Sequence, residues 1–458
     1  MARGGRDRGR GPRGGKNAKG GRGGRGGRDD RRGGRPSGRP AQAAPPLDLF
    51  EDDRLVEAPA FDDSPARGPL LVIGGGVLLL FMLTLTTGIA PMGIATGLLG
   101  LVTLLAFIPG SRPEWPRTPV LWPMLAWLAA MAIASQFALD PQASWPRITK
   151  ALMPLLVPAV AIQARDTRTG KRALAAYLVA AAAVAVFGLV DWALKGASFA
   201  SRARGLSGHY MTFAGQLLLE IPVALAIAFN TRSRAWRLGA WVVVVVAALA
   251  LAATFTRSAW LGLFGSSVVV LALLWLPGLV LLGVLAALAW WLAPGAWGER
   301  LHSVADPGNL WNQQRVFMWD AGVRMFRDHP FTGVGLQDLH ALYDQYRSPE
   351  ATEPAGHLHN AYVQIAASMG LVGLAAFAWL YTSLLRTAWS TLGMWQDLTR
   401  RARANGLAAA VPIGVTASLV GFLIAGMFEW NFGDEELLYH LYALVGFAWA
   451  AGQWDADA

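Results

Sequence analysis

Two stretches of the chain carry the residue types best suited to chemistry. One is His359–Asn360, which opens HNAYVQIAASMG and is followed, after nine residues, by Gly370. A neutral imidazole can take a proton from a hydroxyl, and its ordinary pKa of ~6.5 suits that work near neutral pH. The other is a set of arginines: Arg202 and Arg204 in SRARGLSGHY, and Arg257 in TFTRSAW. Arg257 is flanked by long apolar runs, where a charge is costly and functional by default, with snorkelling to the headgroups as the plainer alternative. A planar guanidinium grips a phosphate with two prongs and stabilises its charge without a metal. Five of the seven histidines lie in or beside the segment 294–358: His302, His329, His340, His357 and His359. Metal ligation is disfavoured, because His357 and His359 are two apart and would diverge on a helix, with no carboxylate at ligand spacing on the same face. No metal site and no cofactor are assigned. His209 reads as a packing or interfacial group.

The elements that must position these residues are apolar. Hydrophobic residues make up 54% of the 458, charged residues only 15%, and there are 20 Trp. A soluble domain carries charge on roughly a quarter of its residues, so the composition is that of a membrane protein. The absence of Cys excludes disulfides, thiolate nucleophiles and Cys-based zinc sites. Apolar runs of about the length needed to cross a bilayer recur from Gly68 onward. Twelve spans are expected, near 69–88, 90–108, 119–137, 148–164, 173–192, 210–229, 237–254, 258–275, 277–293, 360–384, 406–428 and 436–451. The expected fold is therefore an all-α polytopic membrane protein of about 12 transmembrane helices.

Four regions follow. Residues 1–67 are a disordered Gly/Arg-rich tail and an acidic, Pro-containing linker; 68–293 hold spans one to nine; 294–358 form one large loop; 359–458 hold spans ten to twelve and a short C-terminus. The formal charge of +10 is local: residues 1–40 hold 14 Lys/Arg against 3 Asp, leaving −1 for the rest. The tail lacks interleaved Phe or Tyr for stacking on bases, so it reads as a solvated segment touching anionic headgroups, and no nucleic acid partner is expected. Lys/Arg placement puts the even-numbered connections and both termini in the cytoplasm. The 294–358 loop is then on the outer side. In WNQQRVFMWDAGVRMFRD, Val316, Trp319, Val323 and Phe326 mark an amphipathic helix that lies on the outer leaflet, covers a pocket, or does both. Asp328–His329–Pro330 ends it, and Leu336, Leu339, Tyr343 and Tyr346 mark a second helix. Gly370 and Gly373 suggest close helix approach.

The segment His359–Asn360–x9–Gly370, together with Arg315, Trp319, His329, Pro330, Gly333 and Gly335 upstream, resembles the O-antigen ligase and polymerase superfamily. The motifs cover about 190–375, and the topology covers 68–451. The resemblance implies a GT-C-like frame with a periplasmic loop, set in the cell inner membrane. It also implies a metal-independent, inverting glycosyltransferase. The donor would be an undecaprenyl-diphosphate-linked glycan, and the acceptor the lipid A–core of lipopolysaccharide or another glycan, with membrane lipids around both. The diphosphate-binding role maps to Arg204 and Arg257, with Arg202 as fallback for Arg204. His359 maps to the catalytic base, and Arg315 and Asn360 are secondary candidates. One departure is Ser368, where the family often has Glu two residues before the motif Gly. O-antigen ligation is the preferred activity; polymerisation of O-antigen or exopolysaccharide and protein O-glycosylation are the near alternatives. A glycan transporter is the alternative of another class, although the chain shows no internal repeat of the kind transporters carry.

Overall fold

The computed structural model describes residues 69–108, 113–392 and 406–454, and the expectations for the N-terminal tail and linker lie outside these. Among the described residues the regular structure is helical throughout. Helices α1 (Pro69–Thr84), α2 (Ile89–Leu105) and α3 (Leu121–Gln136) come first. A short α4 (Pro141–Ser144) leads into a 3-10 segment, Trp145–Leu155, and then α5 (Leu156–Gln163). This stretch, expected as a single span at 148–164, is not one straight helix. Pro146, Pro154 and Pro158 remove donors and crowd the preceding turns, and the tighter 3-10 path accommodates them.

Four helices follow: α6 (Thr167–Leu194), α7 (Tyr210–Asn230), α8 (Arg234–Ala253) and α9 (Arg257–Leu274). Next come α10 (Gly278–Leu292), α11 (Gly295–His302), α12 (Leu310–Asp328) and α13 (His340–Tyr346). The chain closes with α14 (Ala361–Ser390), α15 (Leu407–Gly426), a 3-10 turn at Asn431–Gly433 and α16 (Glu435–Ala451). Six of these are long and apolar enough to cross a membrane: α6, α7, α8, α9, α14 and α15. A seventh candidate is α10 with α11, bent by 110° at their junction. Helices α1, α2 and α3 are apolar but shorter. The twelve expected spans thus fall on helical segments, while length and composition support crossing for six or seven.

The centre of the bundle is α7 and α15, with 89% and 78% of their apolar windows buried. Close crossing requires glycine where α9 meets α15: a Cβ on Gly262 would lie 2.6 Å from the Gly421 carbonyl oxygen, and one on Gly421 would lie 2.7 Å from that of Gly262. Tyr177 and His440 tie α6 to α16 through a 2.7 Å hydrogen bond.

The segment 294–358 is ordered by packing. In α12 the buried stripe is Gln314, Met318, Ala321, Gly322 and Met325. The stripe marked in the sequence is the opposite one, of which Val316 and Val323 are exposed while Val316 and Trp319 line a cavity. The helix has two apolar faces: one buries itself on Leu339, Tyr343 and Leu358, and the other includes the exposed Val316 and Val323. Helix α12 ends at Asp328, as expected, and α13 is shorter than its pattern, starting at His340.

The glycines of the two motifs lock together. Helix α14 is broken at Gly370, whose φ is 61° and ψ −156°. The break frees backbone groups that the 330–335 loop satisfies. Val334 and Gly335 donate to the carbonyls of Ala367 and Ser368 at 2.8 and 3.0 Å, and Leu371 donates to the Pro330 carbonyl at 2.8 Å. A Cβ on Gly370 would lie 2.4 Å from the Phe331 carbonyl carbon, and one on Gly333 would lie 2.2 Å from that of Ser368. Gly370 therefore serves a helix break and a loop contact rather than helix–helix approach, and Gly373 faces Met369 of its own helix. Ser368 is buried here and accepts a 3.1 Å hydrogen bond from Gln364.

Candidate functional site

His359 precedes the first turn of α14 and sits at φ +47°, an uncommon conformation for a residue with a side chain. Its surroundings fix it there. Asn360 caps α14, its Oδ1 accepting from the amides of Tyr362 and Val363 at 3.0 Å each. The Asn360 Nδ2 donates to the Met427 carbonyl at 2.9 Å, bringing the end of α15 against the start of α14. Leu358 N–H donates to the Gln364 carboxamide at 2.8 Å. Asn360 thus appears as the clamp between two helix ends.

That clamp brings Glu429 to His359. The His359 Nδ1 lies 3.0 and 3.1 Å from the two Glu429 carboxylate oxygens. His357 Nε2 is 3.4 Å from the same group, and the Arg315 guanidinium is 3.6 Å away. Burial alone would raise the Glu429 pKa, yet hydrogen bonds from His357 and His359 and the charge of Arg315 hold it well below the usual carboxylate range. A proton on His359 Nδ1 directed at a carboxylate leaves the Nε2 lone pair free, the arrangement a general base needs.

Glu429 was not singled out from the sequence. The expected divergence of His357 and His359 also fails, because neither lies in a helix and their ring centroids are 4.3 Å apart. With Glu429 they offer three potential metal-ligand atoms within 4.8 Å of one another. That donor set suits zinc chemically. The Arg315 guanidinium already occupies one side of the carboxylate and competes with any cation there.

Arg257 is the first residue of α9 and is buried; its Nη1 donates to the carbonyl and hydroxyl of Ser303 at 2.7 and 3.0 Å. A helix N-terminus already presents positive partial charge, so an Arg there builds a place for an anion. Arg300, overlooked in the sequence, donates from Nε to the Phe255 carbonyl at 3.2 Å. Phe255 makes the α8–α9 turn at φ +53° and stacks on Trp297 at 5.5 Å. Charge repulsion links Arg257 with Arg202 and Arg315, and Arg300 with all three. Arg202 lies 3.9 Å over the Phe199 ring and 4.3 Å over that of Tyr210, and burial lowers its pKa. Arg204 is exposed and makes no ion pair among the described residues, though its charge is felt at His209. Burial lowers the His209 pKa, opposed by the charge of Glu429 and reinforced by those of Arg204, His357 and Arg202.

Two cavities flank this cluster. One, of about 300 Å³, is lined by Arg257, Arg315, Trp319, Phe428 and apolar groups including Leu261 and Val304. The other, of about 430 Å³, is lined by His209, His357, Glu429, Trp430 and the acidic run 434–436. Ser258 contributes to both walls. Glu429 lines the second, and its partner Arg315 lines the first.

Fold and site define an all-α membrane protein in which helix ends enclose a cation-rich cavity beside a carboxylate–imidazole pair. Residues 242–378 match the family model described as O-antigen ligase. The matched stretch holds Arg257, Arg300, Arg315, His359 and Gly370 but stops short of Glu429. No curated protein matches the chain.

Proposed function

We propose that the chain is an inverting, metal-independent glycosyltransferase, with its site on the periplasmic face of the inner membrane and both termini in the cytoplasm. It moves a glycan from an undecaprenyl-diphosphate carrier onto an acceptor hydroxyl, with ligation of O-antigen to lipid A–core as the preferred reaction. The observation that carries this reading is that His359 and Arg315 meet on one half-buried carboxylate, Glu429.

The chemistry divides accordingly. The acceptor oxygen loses its proton to His359 Nε2 and attacks the anomeric carbon, while the bond from that carbon to the diphosphate oxygen breaks. The departing diphosphate keeps the electron pair, and Arg257 and Arg204 stabilise its growing charge, with Arg202, Arg300 and Arg315 adding to the field. Attack opposite the leaving group inverts the anomeric centre. Apolar walls from Leu261, Val304 and Trp319 suit the first isoprene units beside the diphosphate.

The test is reconstitution in liposomes with labelled undecaprenyl-diphosphate glycan and lipid A–core. The expected result is label on lipid A–core and release of the carrier diphosphate, unchanged by EDTA. Label appearing only on lengthened carrier-linked chains would make the enzyme a polymerase. Intact donor with every acceptor offered would overturn the reading.

A further inference from the structure

The larger cavity differs from its neighbour in the sign of its charge. Four carboxylates line it, Glu429, Asp434, Glu435 and Glu436, against Lys150 as the one Lys or Arg in its wall. Lys150 is already committed, 3.3 Å from Glu435 and donating to the Gly433 carbonyl at 2.8 Å. Asp434 accepts from the Thr212 hydroxyl at 2.5 Å, and Glu436 lines the same wall beside it. An anion entering here would meet uncompensated negative charge.

Two further features point to a ligand. Asn431 is only 5% exposed; its Nδ2 donates to the Phe422 carbonyl at 2.8 Å, while its Oδ1 has no partner. A buried acceptor left unpaired costs free energy until a donor reaches it. Trp430 supplies an indole to the same wall, and Gly433 is there because a Cβ would sit 2.1 Å from the indole Nε1. Acceptor oxygens beside an aromatic face suit a sugar, which presents hydroxyl donors at its rim and C–H groups on its face.

We infer that this cavity is the acceptor subsite, and that its carboxylates select uncharged or amino sugars and reject sugars bearing a carboxylate or phosphate. The inference rests on the transferase reading above, and it sorts the substrates by charge: the diphosphate of the donor to the arginines, a hydroxyl-rich or cationic acceptor end to Asp434 and Glu436. Like charges brought together at a binding surface disfavour the anionic partner, so discrimination of about tenfold or more is expected.

Short alkyl glycosides of glucose, glucosamine and glucuronic acid test it, each offered as acceptor with the same lipid-linked donor. Wild type should use the glucoside and glucosaminide, with kcat/KM for the glucuronide about tenfold lower or worse. Asp434→Asn and Glu436→Gln, singly and together, should close that gap by raising glucuronide use, with KM for the donor unmoved. Equal use of all three glycosides by wild type would overturn the inference, as would a gap untouched in the variants. It would also fall if lipid A–core is accepted and none of the three probes is. By contrast, a protein that transfers to no acceptor at all removes the transferase reading itself.

Discussion

The two cavities share a wall at Ser258 and are built from opposite materials. The smaller draws its arginines from α9 and α12, elements inside the matched family domain. The larger draws its carboxylates from residues 429–436, outside that domain, and also reaches back to Lys150 and His209. Glu429 links the two regions, lining the acidic cavity while paired with Arg315 of the basic one.

The comparison can be broken from the basic side first. Arg257→Ala should lower transfer about 10²–10³-fold, the usual cost of removing a group aimed at developing charge, with donor affinity reduced as well. Arg257→Lys should recover only part of this, because a point charge cannot reproduce the two-pronged grip. Purified protein at equal membrane level, assayed with labelled donor, gives both numbers. Wild-type transfer by the Lys variant would reduce Arg257 to a membrane anchor.

Glu429→Gln cuts the link between the cavities and should cost about ten- to a hundredfold in transfer rate, less than loss of the imidazole itself. It carries a pH signature whose sign follows from the depressed carboxylate. Such a group stabilises the fold above its unfolded value, ordinarily ~4.3, and the stabilisation is lost only as pH falls through the lower folded value. The difference in thermal midpoint between wild type and Glu429→Gln in detergent should hold steady from pH 8 to 5 and shrink on further acidification. A difference that grows toward acid would contradict the assignment.

Gly370→Ala probes the scaffold beneath both cavities. Its Cβ would meet the Phe331 backbone at 2.4 Å, and the positive φ costs a further ~1–3 kcal/mol. A lower thermal midpoint is expected, with transfer per folded molecule reduced less than in Glu429→Gln. An unchanged midpoint would mean the α14 break is dispensable.

Much of this architecture was legible in the sequence, because apolar runs are long and local. The helices fall close to the hydropathy segments, and the expected span 148–164, which is divided into 3-10 and α pieces, carries Pro154 and Pro158 with Pro146 just before it. Periodicity marked the Val316–Val323 face of α12, part of which lines the smaller cavity, but not the opposite Met318–Met325 face that packs within the loop, because both sides are apolar. His359 and Arg257 could be singled out from local pattern. Glu429 could not, since it reaches His359 across 70 residues and no local spacing links them. The one available signal was an acid set among Phe428 and Trp430 at the end of an apolar span, where a charge is expensive. Arg300 was hidden for the same reason, its meaning arising only when α11 folds back on Phe255.

The central claim is that His359 performs the proton transfer between the two cavities while the arginines hold the donor. The most direct measurement is donor affinity and transfer rate on one preparation of His359→Ala, with His357→Ala alongside. His359→Ala should bind the lipid-linked donor as wild type does and lose about a hundredfold to ten-thousandfold in transfer. His357→Ala, which also touches Glu429 but does not face it through Nδ1, should keep most of its rate. Transfer by His359→Ala near the wild-type rate, or a loss confined to His357→Ala, would contradict the account.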